Sequence, residues 1–139
     1  MRKECVIAHS IHNVNIRRLG PLISPASLHA KLPATEAAIR TVSAGREAIR
    51  RVLTGEDDRF MVILGPCSIH DEKAATEYAG RLAKVSHQLA DRLLIVMRVY
   101  FEKPRTTVGW KGLIYDPQLD GSFEMEKGLT TARKLLHHM

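Results

Sequence analysis

The sequence has little cysteine, few aromatic side chains and no long apolar run, and each shortage removes a class of protein. Only Cys5 and Cys67 are present, far apart. They offer no disulfide framework and no CxxC pair, which fits a reducing cytoplasm. Aromatic residues make up 5% of the chain, too few for the stacking platform of single-strand nucleic-acid binders. The apolar stretch near the N-terminus, Cys5 to Ala8, is too short for a signal-peptide core, and nothing elsewhere approaches a membrane span. Basic residues outnumber acidic ones by 21 to 15, a formal charge of +6. That balance suits acidic metabolites, anionic membranes or nucleic acid, but the cations form no block. With 139 residues and 45% hydrophobic composition, the chain is long enough to bury one core.

Two apolar runs stand out against this background. Phe60-Met61-Val62-Ile63-Leu64 and Leu93-Leu94-Ile95-Val96-Met97 show little alternation, as strands covered on both faces of a parallel sheet do. Between them Ala75, Tyr78, Leu82, Val85 and Leu89 recur at three- and four-residue steps, an amphipathic helix that Asp71 can cap. Phe60 to Tyr100 therefore reads as one βαβ unit. An earlier helix begins at the N-cap Thr35, lines one side with Ile39, Val42, Ile49, Val52 and Leu53, and stops at Gly55. Ser24-Pro25 marks a short helix start within an N-terminal arm, residues 1–33, that lies outside the main core. A last helix follows Glu124, with Leu129, Ala132, Leu135 and Leu136 on one face. The order β-α-β-α ends there without a C-cap glycine or a proline stop, so the pattern reads as the start of a longer parallel fold, cut short.

Both strands run into unusual chemistry. The first ends in Gly65-Pro66-Cys67-Ser68-Ile69-His70-Asp71. The second feeds a long loop holding Arg98, Lys103, Arg105 and Lys111 against the single carboxylate Glu102, with Thr106, Thr107 and Gly109 beside them. Pro104 fixes φ and ends the strand. Arg offers a planar fork, Lys a point charge and Thr short donors, a combination suited to phosphate. A solvated basic turn is the bland alternative. The position at the carboxyl ends of parallel strands, where α/β folds bind their ligands, favours a site. Cys67 reads as nucleophile or metal ligand, or as a small buried hydrophobe, the commoner role of a lone cysteine, and His70 as a metal ligand or a polar residue at a helix start.

GPCSIHD at Gly65–Asp71 and MRVYFEKPRTTVGWKGL at Met97–Leu113 resemble the type I 3-deoxy-D-arabino-heptulosonate-7-phosphate (DAHP) synthases. The likeness runs from about Pro25 to Leu136 and includes EYAGRL around Tyr78, DPQLDGSF at Asp116–Phe123 and ARKLL at Ala132–Leu136. It implies the amino-terminal portion of a (β/α)₈ barrel, with the first two β/α units in residues 34–139 and a helical extension for subunit contact and effector binding in residues 1–33. It also implies condensation of phosphoenolpyruvate with erythrose 4-phosphate, the first step of the shikimate pathway to chorismate and the aromatic amino acids. Arg98 and Lys103 match residues that hold phosphoenolpyruvate, and Lys103 also matches a residue that assists proton transfer. Pro104, Arg105, Thr106 and Thr107 match the erythrose 4-phosphate loop. Cys67 matches a ligand of a divalent metal of the manganese, iron, cobalt or zinc type, whose other ligands have no counterpart in this chain. An aromatic amino acid effector and a homo-oligomer complete the implied partners, with no membrane and no nucleic acid.

A barrel needs roughly 250 residues, so these residues alone are expected not to catalyse the condensation. Two rival readings make different claims. A small basic domain that binds nucleic acid or phosphate would spread its cations along a groove, whereas here they gather at strand ends. A non-catalytic interaction or regulatory fragment is the second, and the cut-short β-α-β-α pattern is what motivates it.

Overall fold

The computed structural model describes Val14, residues 19–104 and residues 108–139. Six elements follow one another: α1 (Pro25–Lys31), α2 (Glu36–Leu53), β1 (Phe60–Leu64), α3 (Glu72–Gln88), β2 (Leu93–Met97) and α4 (Met125–His138). Local chemistry sets most of the boundaries. Ser24 and Thr35 accept from the amides of Ser27 and Ala38, both at 3.1 Å, so hydroxyls satisfy the orphan donors that open α1 and α2. Asp71 does the same for α3, accepting from Ala74 N at 2.9 Å. That backbone N–H holds the Asp71 carboxyl below its ordinary range. Past the end of α2, Gly55 takes φ 75°, and the Glu56 amide turns back to the Arg51 carbonyl at 2.9 Å.

β1 and β2 pair in parallel, from Phe60 opposite Leu93 to Leu64 opposite Met97. α3 supplies the crossover and packs on β2, while α2 packs on β1. The cover is thinner than two unbroken apolar runs imply. Phe60 and Ile63 are 78% and 60% exposed. A run of apolar residues states that a strand suits burial, but among the described residues no further layer lies over those positions. The helical stripes are likewise covered in part. Ala75 is buried in α3, yet Val85 and Leu89 are exposed, as are Ile39, Val42 and Leu53 of α2. In α4 the buried positions are Gly128, Ala132 and Leu135, and Leu136 is exposed rather than part of the packed face.

The core lies beyond the strand ends. Ile69, Ala75, Phe101, Leu113, Ala132 and Leu135 form it, with Val99, Trp110, Ile114 and Met139 packed around them. The segment after Tyr100 is thus not simply an open ligand loop. It folds back on itself: Leu113 N donates to Phe101 O at 2.7 Å, Lys103 N donates to Lys111 O at 2.9 Å, and Glu102 bridges Gly112 antiparallel. Burying a side chain such as Leu113 contributes about 1.5–3 kcal/mol, so this turn carries much of the small core. Gly128 lets α4 approach, because a Cβ there would stand 2.1 Å from the Ile114 carbonyl oxygen.

α1 belongs to the arm and docks on α4. Arg133 Nε donates to Leu32 O at 2.7 Å in a half-buried contact. The Lys31–Glu126 pair at 3.0 Å is largely solvent-exposed and contributes little by comparison. No helix among the described residues is long and apolar enough to cross a membrane.

At the amino ends of the strands, Arg59 grips Asp57 at 2.7 Å and reaches Ala90 O at 3.2 Å. The Arg59 guanidinium, aided by the Arg59 amide, holds the Asp57 carboxyl down at about 2. A depressed carboxylate stabilises the fold above its unfolded value near pH 4, and this contribution vanishes as pH falls toward 2. The urea midpoint is therefore expected to drop between pH 4 and pH 2, and Asp57→Asn should flatten that drop. An unchanged slope in the variant would remove Asp57 from the account. A second expectation concerns two helical glycines. Nothing lies within 4 Å of a Cβ at Gly45, so Gly45→Ala should raise stability by about 0.5–1 kcal/mol. Gly128→Ala should lower it by roughly 1–3 kcal/mol, because overlap with the Ile114 carbonyl outweighs helix propensity. Midpoints shifted in the same direction would contradict the packing of α4.

Candidate functional site

The parallel register brings the two strand exits side by side. Arg98 N donates to Leu64 O at 2.8 Å, and Ile69 N donates to Tyr100 O at 2.8 Å. The Gly65–Ser68 turn therefore lies directly over Arg98–Tyr100. Only glycine fits at position 65, since a Cβ would stand 2.2 Å from Arg98 O. Ser68 and Ile69 are buried beneath this turn, and Cys67 is exposed at its crest.

Arg98 ties the turn down. Its Nη1 donates to Pro66 O at 2.8 Å and to Cys67 O at 3.1 Å. The guanidinium carbon sits 4.6 Å from the centroid of the Tyr100 ring, a cation–π distance. The Nε–Nη2 edge of the fork meets no hydrogen-bond acceptor among the described residues. Lys103, half-buried, donates from Nζ to Cys67 Sγ at 3.1 Å.

Three of the residues singled out in the sequence thus come together: Cys67, Arg98 and Lys103. Pro104 follows, exposed to solvent. Arg105, Thr106 and Thr107 lie outside the described residues. Among the described residues no three histidine, cysteine or acidic side chains gather in one place. The exposed Cys67 sulfur fits one position in the shell of a divalent metal, and among the described residues no cluster of further donors gathers with it. His70 is exposed at the start of α3 and joins no such group.

Sequence reasoning overlooked Asp116. It is 5% exposed, accepts from Gly121 N through Oδ2 at 3.1 Å, and its carbonyl accepts from Trp110 Nε1 at 2.7 Å. Asp116 N returns to Gly112 O at 3.0 Å. This residue folds the segment that carries Lys111 back toward Lys103. The available signal was Asp116-Pro117, a turn-forming pair inside a long loop. Ser68 Oγ and Asp116 Oδ1 are buried without a partner among the described residues.

The fold and site define an α/β protein with a cationic, thiol-bearing rim at the carboxyl ends of parallel strands. Residues 23–136 match the DAHP synthetase I family, and the chain belongs to that family. It is 56% identical over 124 residues to the Phe-sensitive phospho-2-dehydro-3-deoxyheptonate aldolase of Escherichia coli K12, covering 89% of this chain and 35% of the relative. It is 52% identical over 130 residues to the phospho-2-dehydro-3-deoxyheptonate aldolase of Amycolatopsis methanolica, covering 94% and 64%. The solved phospho-2-dehydro-3-deoxyheptonate aldolase of Francisella tularensis SCHU S4 superposes with a TM-score of 0.83 at 46% identity, covering 90% of this chain and 38% of that one. The chain therefore spans between about a third and two thirds of the length of these relatives.

The tie from Arg98 to the Cys67 turn is measurable. Charge-assisted hydrogen bonds contribute roughly 1.5–3 kcal/mol, and exposure places this one near or below the lower bound. Arg98→Ala should speed hydrogen exchange at the Ile69 amide several-fold. The Phe60 amide, bonded to Arg92 O at 3.0 Å at the other strand end, should keep its rate. Equal acceleration at both would show general loosening rather than a local tie.

Proposed function

We propose that the chain forms the start of a (β/α)₈ barrel that condenses phosphoenolpyruvate with erythrose 4-phosphate, the first step toward chorismate and the aromatic amino acids. In this reaction the enol carbon bonds to the aldehyde carbon, water adds to the former enol, and inorganic phosphate leaves. The observation that carries the reading is the junction of Lys103 with Cys67 across two strand ends, at 3.1 Å, beside the Arg98 guanidinium. The relatives that match nearly the whole chain bear the name of that aldolase.

Arg98 and Lys103 hold the phosphate and carboxylate of phosphoenolpyruvate, and Lys103 is placed to pass a proton. Pro104, Arg105, Thr106 and Thr107 take erythrose 4-phosphate. Two anionic substrates in one cavity repel each other, and the cations offset that repulsion. Cys67 would be one ligand of a divalent metal, which when bound would supply Lewis acidity toward the aldehyde oxygen or position the reacting water. Residues 1–33 serve as the arm for subunit contact in a homo-oligomer and for an aromatic amino acid effector. The Escherichia coli relative is Phe-sensitive by name. A cytoplasmic setting accords with a thiol kept reduced.

Exchanging residues 23–136 into the matching stretch of that relative tests the reading. The chimera should consume phosphoenolpyruvate with erythrose 4-phosphate and manganese. Cys67→Ser in the chimera should remove most metal-dependent turnover while circular dichroism stays unchanged, because a hydroxyl is a far poorer ligand than a thiolate. Arg105→Ala should raise KM for erythrose 4-phosphate by on the order of tenfold or more, with a smaller effect on phosphoenolpyruvate. Equal losses for both substrates would sink the assignment of Arg105, and normal activity of the Cys67 variant at low metal would sink that of Cys67.

A further inference from the structure

Cys67 and Lys103 are 36 residues apart in sequence, on the exits of two different strands, yet their reactive atoms touch. We propose that they form a redox-switched covalent pair: peroxide oxidises the Cys67 sulfur, and the Lys103 amine captures it in a sulfur–nitrogen bond that staples the two strand exits together.

Each requirement of the chemistry is met by an observation. Cys67 is exposed, so a small oxidant reaches it. Thiols are oxidised by peroxide at sulfur, the atom that Cys67 presents to solvent. Sulfenic acids condense with a thiol or with a nitrogen, whichever is held close. The nitrogen already stands 3.1 Å from the sulfur. Its position is not accidental to a floppy side chain. Arg98 fixes the Pro66 and Cys67 carbonyls on one side, and the Lys103 amide is bonded to Lys111 O at 2.9 Å on the other. The flexible four-carbon stem of lysine covers the remaining approach without backbone movement.

The steps balance. The Cys67 thiol gives its proton to solvent as its sulfur attacks one peroxide oxygen; the O–O bond breaks, and the departing hydroxide takes up a proton, leaving sulfenic acid and a first water. Lys103 releases a proton to solvent, and its nitrogen lone pair attacks sulfur. The S–N bond forms as the S–O bond breaks, and the hydroxyl leaves with a second nitrogen proton as another water. Thiol, ammonium and peroxide thus give a sulfenamide, two waters and a proton. The sulfur is oxidised by two electrons, and the peroxide is reduced by two. A dithiol reverses the bond, returning thiol and amine while itself becoming a disulfide. One event would remove both the thiol and a cation of the rim, and capture would also divert the sulfenic acid from irreversible oxidation.

The test uses the full chain as Cys5→Ser, which removes the other cysteine, with peroxide but no metal or substrate. Its outcome is therefore independent of the condensation reading. Cleavage after glutamate places Cys67 in residues 57–72 and Lys103 in residues 103–124. The expected product is these two peptides linked, at their summed mass less two hydrogens, and separated again by dithiothreitol. Lys103→Arg keeps the charge but not the nucleophile; it should give no link and carry Cys67 to sulfinic and sulfonic acid several-fold faster. The chain unfolded in urea should give no link either. Absence of the linked species in the native chain, a link to a different lysine, or a disulfide dimer in its place would overturn the proposal. So would oxidation of Cys67 to sulfinic acid at equal rates in parent and variant.

Discussion

The pairing of β1 with β2 decides where every atom of the site stands. The register is pinned at both ends, by Phe60 N on Arg92 O and by Arg98 N on Leu64 O. A slip of one residue would turn each side chain to the opposite face and carry Arg98 away from the Pro66 and Cys67 carbonyls. With the register set, the Gly65 turn settles over Arg98, and the sulfur of Cys67 meets the Lys103 amine. None of these residues is adjacent in sequence to its partner. The ladder makes them neighbours, and the turn glycine sets how near they come.

The same geometry explains why the core sits where it does. A two-stranded sheet is too narrow to bury much on its own faces. Burial moves to the place where three segments converge: the turn after β1, the folded-back segment after β2, and α4. Ile69, Phe101 and Leu113, with Ala132 and Leu135 of α4, meet there. The site is therefore built on the core rather than above it. Lys103 lies two residues from Phe101, and Cys67 two residues from Ile69. Packing and chemistry share the same short stretches of backbone, which is an economical way to hold exposed reactive groups still.

Punctuation made much of this visible in the sequence. Ser24-Pro25, Thr35, Gly55 and Asp71 are strong local signals, and the helices and strands begin and stop beside them. The apolar runs at Phe60 and Leu93 were equally plain, and with them the two strand exits where Cys67, Arg98 and Lys103 meet. What periodicity cannot express is whether a face has a neighbour, so Ile39, Val42, Leu136 and Ile63 read as packed but stand exposed. The Phe101–Leu113 pairing was hidden because its apolar residues follow no regular period and join through an antiparallel bridge. Arg98 announced a charge, but not that part of its fork is spent on carbonyl oxygens. Asp116 looked like one more polar loop residue, because only the folded turn shows Trp110 and Gly121 converging on it.

The close passage of Gly65 under the Arg98 carbonyl has a consequence for anyone reshaping this protein. At 2.2 Å from a would-be Cβ, the two strand exits interlock backbone to backbone, with no side chain between them to act as a spacer. They behave as one module. A library that varies the turn around Cys67 alone searches only the shapes that the Arg98 segment already permits. Transplanting one exit into another scaffold without the other would leave an arginine lacking its acceptors and a cysteine lacking its amine. New shapes of this rim are therefore more readily reached by exchanging both exits together, as a pair inherited or replaced as a unit.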